Sequence, residues 1–146
     1  MEDAEQRRIL LIDCDHDLLT RLKVLLGDEG YDATTAWGGR EALRPLGSKR
    51  FDVILLSDHL PDTNGRELWR LLQKVPSDAE LALIQGSDPV TEDVRALFRD
   101  YADHCILPRS TPGRIASAVA HCLRRQAASV SSSTVRISTE KMDYGL

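Results

Sequence analysis

The chain has 146 residues, 42% of them hydrophobic and 29% charged, which suits one buried core of domain size and excludes a disordered polyelectrolyte. Nineteen Lys and Arg against 23 Asp and Glu give a formal net charge of −4, so nucleic acid, whose binding is driven by clustered positive charge, is not the expected partner. The apolar runs are too short to span a bilayer and the start, MEDAEQRR, is too polar for a secretory signal, so no membrane contact and a cytoplasmic place are expected.

From residue 8 onward, short apolar runs alternate with segments of helical period. Ile9–Ile12 is a continuous apolar run bounded by charge, as in a central parallel strand buried on both faces. Leu18, Leu22, Leu25 and Leu26 follow at helical spacing, and Gly27 and Gly30 close that helix. Tyr31–Trp37 reads as a second strand, and Gly38-Gly39 leads into a short helix, Arg40–Leu46, with Pro45 near its end. Phe51–Leu56 is a third strand ending at Ser57-Asp58-His59. After the turn Pro61–Gly65, Leu68, Leu71, Leu72 and Val75 mark a third helix stopped by Pro76. Leu81–Ile84 is a fourth strand, Val94, Leu97, Phe98 and Tyr101 stripe a fourth helix, and Cys105–Leu107 is a fifth strand. Thr111-Pro112 opens a last helix with Ile115, Val119 and Leu123 on one face.

Five strands alternating with five helices over short connections predict a right-handed parallel α/β sheet covered on both faces. The expected domain spans residues 8–126, preceded by an extension, 1–7. Residues 127–146 carry five Ser and two Thr with no sustained apolar period, and read as a flexible tail or linker. The alternation of Ser133–Ser138 offers an edge strand as the other reading of that segment.

In such a sheet, function gathers at the carboxyl ends of the strands. Asp13-Cys14-Asp15 stands there where a phosphate cradle would need glycine and hydroxyl residues, and its carboxylates would repel a nucleotide. Asp13, Asp15 and Asp58 are of the type that binds Mg²⁺, although Asp15 or Asp17 equally suits the N-cap of the first helix. Cys14, His16 and His59 would gather at the same edge as soft ligands for zinc or copper, without any finger spacing. Cys14, Cys105 and Cys122 are odd in number and are expected as reduced thiols. A thiol at a helix N-terminus also offers a lowered pKa and redox sensing by Cys14.

Residues 8–125 resemble the receiver domain of bacterial response regulators. The segments that carry the resemblance are RILLIDCDHDLL, GYDATTAWGGREAL, FDVILLSDHLPDTNGREL with Pro61 and Gly65 in a Pro-x-x-x-Gly turn, and YADHCILPRSTPGRI, in that order. The resemblance implies a flavodoxin-like, doubly wound, five-stranded parallel sheet of order 2-1-3-4-5 with five helices. It also implies phosphotransfer from a histidine kinase to an aspartate. In that chemistry an acidic pair holds Mg²⁺, a lysine neutralises the phosphoryl oxygens, a hydroxyl reports the modification and an aromatic on the fifth strand responds.

Carried over position by position, the resemblance places Ser57 at the acceptor and Asp13 and Cys14 at the acidic pair. The hydroxyl position falls on Gly86, with Ser87 one residue on; the lysine position falls on Pro108 and the aromatic switch on Cys105. Ser57 is a weak nucleophile without a positioned base. Asp58 lies one residue along a strand, which turns its side chain to the other face. Arg109 offers a displaced cation beside Pro108, though no role is assigned to it. These departures lead to a degenerate receiver, not an enzyme, that needs no cofactor, with any Mg²⁺ binding weakened. Its expected work is phosphorylation-independent recognition of a protein partner in bacterial signalling, either a histidine kinase or a downstream regulator, with a homodimer as a further option. Trp37, Trp69, Arg95, Arg99 and Arg114 are the candidate partner contacts. An unconventional acceptor at Asp58 and a ligand or metal sensor in the altered pocket stand as alternatives.

Overall fold

A computed structural model describes residues 6–58, 60–76, 78–85, 96 and 105–132. The described strands are β1 (Arg8–Ile12), β2 (Asp32–Ala36), β3 (Val53–Ser57), β4 (Glu80–Gln85) and β5 (Cys105–Pro108). The described helices are α1 (His16–Asp28), α2 (Gly39–Ser48), α3 (Gly65–Gln73) and α4 (Pro112–Ser132). All strand pairs are parallel and the sheet order is β2-β1-β3-β4-β5. The helix expected on Val94, Leu97, Phe98 and Tyr101 lies outside the described residues.

Alternation along the inner strands splits the core into two layers. Leu10, Ile12, Ile54, Leu56, Leu81 and Leu83 pack with Ala42 and Leu46 of α2 and Leu68, Leu71 and Leu72 of α3. Ile9, Leu11, Val53, Leu55, Ala82 and Ile84 pack on the opposite face with Leu18, Leu19, Leu22 and Leu26 of α1 and Ile115, Val119 and Leu123 of α4. The unbroken apolar runs of β1 and β3 are therefore buried on both sides, and each fully buried Leu or Ile contributes about 1.5–3 kcal/mol.

Several boundaries and facings differ from the sequence pattern. In α1, Leu19 joins the core while Leu25 is exposed, because the helix turns its stripe onto Leu18, Leu19, Leu22 and Leu26. Gly27 lies inside that helix, and Gly30, at φ 95°, makes the reversal into β2 that favours a residue without a Cβ. Helix α2 continues past Pro45 to Ser48. The carbonyl that Pro45 leaves unbonded belongs to Glu41, an exposed residue where water can serve it. Helix α4 runs to Ser132, so residues 127–132, expected as the start of a tail, continue the helix. No Gly or Pro interrupts that stretch, and Ala127 and Ala128 are strong helix formers.

Candidate functional site

The carboxyl ends of β1, β3 and β5 meet at one edge. The Asp13 amide continues the β1 ladder by donating to Ala36 O at 3.2 Å. Counted on from the pairing Ile12–Leu56, Asp13 and Ser57 are register neighbours. Both share the parity of Ile9, Leu11, Val53 and Leu55, and so belong to the face covered by α1 and α4. Asp13 is 2% exposed and Ser57 fully buried, and they are the buried polar residues of the described core. Asp58 keeps the ladder going, its amide donating to Ile84 O at 3.1 Å. By the alternation of the strand, its side chain takes the opposite parity from Ser57.

The turn after β1 organises itself around its carboxylates. Asp13 Oδ1 accepts from the Asp15 amide at 3.1 Å, and Asp15 Oδ1 accepts from the Leu18 amide at 3.1 Å, making Asp15 the N-cap of α1. Asp17 does not cap; it pairs with Arg21 one turn on. Of the three expected Mg²⁺ carboxylates, the structure therefore brings Asp13 and Asp15 together and gives Asp15 a capping task as well.

A cation occupies the space between them. The Arg109 Nη2 lies 3.1 Å from Asp13 Oδ2 and 3.5 Å from Asp15 Oδ2. It donates hydrogen bonds to Asp13 Oδ1 at 3.3 Å and to Asp15 Oδ2 at 3.5 Å; the closer Asp13 Oδ2 takes the charge contact without hydrogen-bond geometry. Burial raises the Asp13 carboxyl above its ordinary range despite the opposing pull of the guanidinium and of the Asp15 and Cys14 amides. Burial and the Asp13 charge likewise push the Cys14 thiol up, against Arg109. This corrects the redox reading, which required a lowered thiol pKa: the helix N-terminus is outweighed by desolvation and a neighbouring carboxylate. Neither Cys14 nor Cys122 is in a disulfide.

Among the described residues, no three His, Cys, Asp or Glu side chains gather as a metal-binding group. His16 is instead stacked on Trp37, ring centroids 3.8 Å apart, and His59 lies outside the described residues. Pro108 ends β5 and hands the chain to Arg109. Cys105 begins that strand. Gly86, Ser87, Arg95 and Arg99 lie outside the described residues. Trp37 and Trp69 are 56% and 51% exposed, and Arg114 is exposed on the first turn of α4.

The next loop is built from chemistry that sequence reading did not anticipate. Gly38 offers α2 no side-chain cap. Asp62 supplies one from the β3–α3 turn, its carboxylate accepting from the Gly39 and Arg40 amides at 3.2 and 3.4 Å and from Thr63 Oγ1 at 2.6 Å. A Cβ on Gly38 would stand 2.6 Å from Asp62, and one on Gly39 2.3 Å from Thr63 Oγ1. Burial opposes ionisation of Asp62, but these hydrogen bonds and the Arg40 charge win, holding its carboxyl below the usual range. Arg40 also reaches Glu67 at 3.2 Å, fastening α2 to α3.

Comparisons with known proteins give the family and the fold. A family model for the response regulator receiver domain matches residues 9–120. The chain belongs to the receiver domain family. Similar curated proteins include the transcriptional regulatory protein PrrA of Mycobacterium leprae, 27% identical over 95% of this chain and 59% of that protein. Another is the DNA-binding response regulator MtrA of Mycobacterium tuberculosis, 31% identical over 84% of this chain and 53% of that protein. The receiver thus spans little more than half the length of these relatives. Among solved structures, a CheY-like receiver domain from Methanospirillum hungatei superposes with a TM-score of 0.69 at 20% identity, covering 84% of this chain and 98% of that one. The likeness of that structure is one of fold, an α/β flavodoxin-like parallel sheet. Receiver domains interact with histidine kinases and downstream effector domains in two-component signalling. No helix among the described residues of this receiver is long and apolar enough to cross a membrane.

The fold family implies a Mg²⁺ ion at this pocket, and the residues present do not fit it. The buried Asp13 carboxylate already faces an internal cation, the adjoining position holds the Cys14 thiol, and the third position holds the Ser57 hydroxyl. A hard divalent ion prefers carboxylate and water oxygens.

Proposed function

We propose that this receiver works in bacterial signalling as a phosphorylation-independent recognition module, with no catalytic step of its own and no need for Mg²⁺. The observation that carries the reading is the Arg109–Asp13 ion pair at 3.1 Å. It neutralises the buried carboxylate of the pocket from within the chain, beside a strand end that carries the Ser57 hydroxyl. Phosphoryl transfer to a side chain draws most of its acceleration from positioning and charge stabilisation. Here the positive charge is spent on Asp13 and Asp15, and the acceptor position holds a neutral hydroxyl, a weak nucleophile. Signalling then rests on a surface presented in one state and chosen by its partner. The exposed Trp37, backed by His16, and the exposed Trp69 supply the large rigid contacts that interfaces favour. The partner in this reading is a protein, either a histidine kinase or a downstream regulator.

The test is intact-mass spectrometry after incubation with Mg²⁺ and acetyl phosphate, beside an active receiver. The expected result is no phosphoryl adduct on this chain and a clear one on the control. A stoichiometric, base-labile adduct would overturn the reading, and mapping it to Asp58 would show a displaced acceptor.

A further inference from the structure

We propose that Arg109 is a tethered cation standing in for the divalent metal of the receiver pocket, and that it, together with the lost ligands, keeps such a metal out. The inference rests on the reading of this edge as a receiver pocket and deepens it by naming what holds the pocket closed.

The geometry is that of a point charge. Arginine usually meets carboxylates with both arms of its fork. Here Nη2 alone makes the contacts, at 3.1 and 3.3 Å to the two oxygens of Asp13 and 3.5 Å to Asp15. The other arm, Nη1, is buried with no hydrogen-bond partner among the described residues. A pairing chosen for shape would leave no arm idle, so charge is what this contact supplies. Three oxygens from two aspartates thus converge on one position, as they would around a small cation.

The surroundings show why a cation is needed there. Asp13 is 2% exposed, and an unpaired carboxylate at that depth is strongly unfavourable. The lysine position of the resemblance is Pro108, which has no charge. Arg109 follows it directly, and its longer side chain returns to the pocket while its backbone leaves β5. Two positive groups cannot share so small a space, so a divalent ion must displace the guanidinium before it can bind. Even then it finds a thiol at Cys14 and a hydroxyl at Ser57.

Removing the charge of Arg109 should therefore expose a latent site on Asp13 and Asp15. The experiment uses the full chain with Trp69→Phe, which leaves Trp37 as the sole tryptophan near the edge. Mn²⁺ is titrated against Trp37 fluorescence and, independently, by isothermal calorimetry. The parent, which keeps Arg109, is compared with Arg109→Gln, which keeps length and hydrogen bonding, and with Arg109→Lys, which keeps the charge. Arg109→Gln is expected to bind Mn²⁺ at least about tenfold more tightly than the parent, as a like-signed competitor leaves the space between two carboxylates. Arg109→Lys should behave like the parent, and Asp13→Asn added to Arg109→Gln should abolish the gain. Circular dichroism establishes that each variant is folded, and if Arg109→Gln does not fold, Arg109→Met, which also removes the charge, takes its place beside Arg109→Lys. Equal binding by parent and Arg109→Gln overturns the proposal, as does no binding by a folded Arg109→Gln, a gain that survives Asp13→Asn, or tight binding by Arg109→Lys. Acetyl phosphate is absent from every arm, so failure here leaves the phosphorylation reading to its own test.

Discussion

Replacing Arg109 with methionine removes the charge while keeping most of the aliphatic stem, and the structure sets the size of the effect. Breaking a fully buried ion pair from one side costs about 3–5 kcal/mol, because a charge is left alone in the interior. Asp13 meets that condition at 2% exposure, but Arg109 retains 28% of its side-chain surface, which places the expected loss below that range, about 2–3 kcal/mol near neutral pH. The loss should depend on pH in a defined direction. The Asp13 carboxyl is raised above 3.8 in the folded protein, so the folded state holds its proton more readily than the unfolded chain. Its contribution to stability therefore falls as pH rises through the window between 3.8 and its folded value. Methionine deletes the guanidinium that pulls this value down, so the window widens upward and the penalty grows with pH. Urea denaturation followed by circular dichroism at pH 5 and pH 8 gives the two free energies. Asp13→Asn added to the Arg109→Met variant should recover most of the loss at pH 8. A penalty under about 0.5 kcal/mol at pH 8, in the range of an exposed pair, or one that is the same at both pH values, would refute the argument that a buried carboxylate depends on this arginine.

Other expectations follow from the same edge. Asp62→Ala should destabilise the fold by about 1 kcal/mol, the usual worth of an N-cap, and denaturation midpoints measure it. Because the Asp62 carboxyl is held below 3.8, its contribution is full above that value and is lost as pH falls through the folded one; Asp62→Asn should flatten that part of the acid limb. Gly39→Ala should cost more than a typical glycine substitution in a helix, about 1–3 kcal/mol, since its Cβ would press on Thr63; a stabilised variant would contradict this packing. Ser57→Asp should leave the chain unmodified by acetyl phosphate in intact-mass spectra, because Arg109 and Cys14 are unchanged, and it should be destabilising where a second carboxylate is buried next to Asp13. Alkylation of Cys14 by iodoacetamide at neutral pH should be slower than that of a free thiol, as its raised pKa leaves less thiolate.

What the sequence made legible was governed by short-range rules. The apolar runs of β1 and β3, the Pro112 opening of α4 and the stripe of Leu68, Leu71 and Leu72 each follow from spacing and local chemistry, and the structure contains all of them. Spacing did not settle which border of the α1 stripe faces inward: Leu19 and Leu25 sit on opposite borders, and packing of the helix buries Leu19 and leaves Leu25 exposed. The contacts that organise the edge are long-range. Arg109 meets Asp13 across 96 residues and Asp62 caps α2 across 23, and no local pattern marks either partner. In hindsight Gly38-Gly39 was a visible signal, since paired glycines at a helix start admit close approach by another loop. Nothing comparable announced the stacking of His16 on Trp37, which depends on where two loops end.

Stability and the chemistry of the edge rest on different residues in this fold. Stability comes from two apolar layers whose members, from Ile9 to Leu123, lie along the strands and helices. Asp13 lies just past β1 and Ser57 ends β3, so the polar edge begins where the buried apolar runs stop. Among the described residues Asp13 alone is both deeply buried and acidic there, so it is the position that most needs an opposite charge beside it. With no cation, its carboxylate would oppose folding more strongly; Arg109, supplied by the loop after β5, offsets part of that opposition. The same contact ties the β5–α4 loop to the β1–α1 turn. In the function proposed above, an edge that carries its own internal charge suits a surface recognised in one state better than a switch.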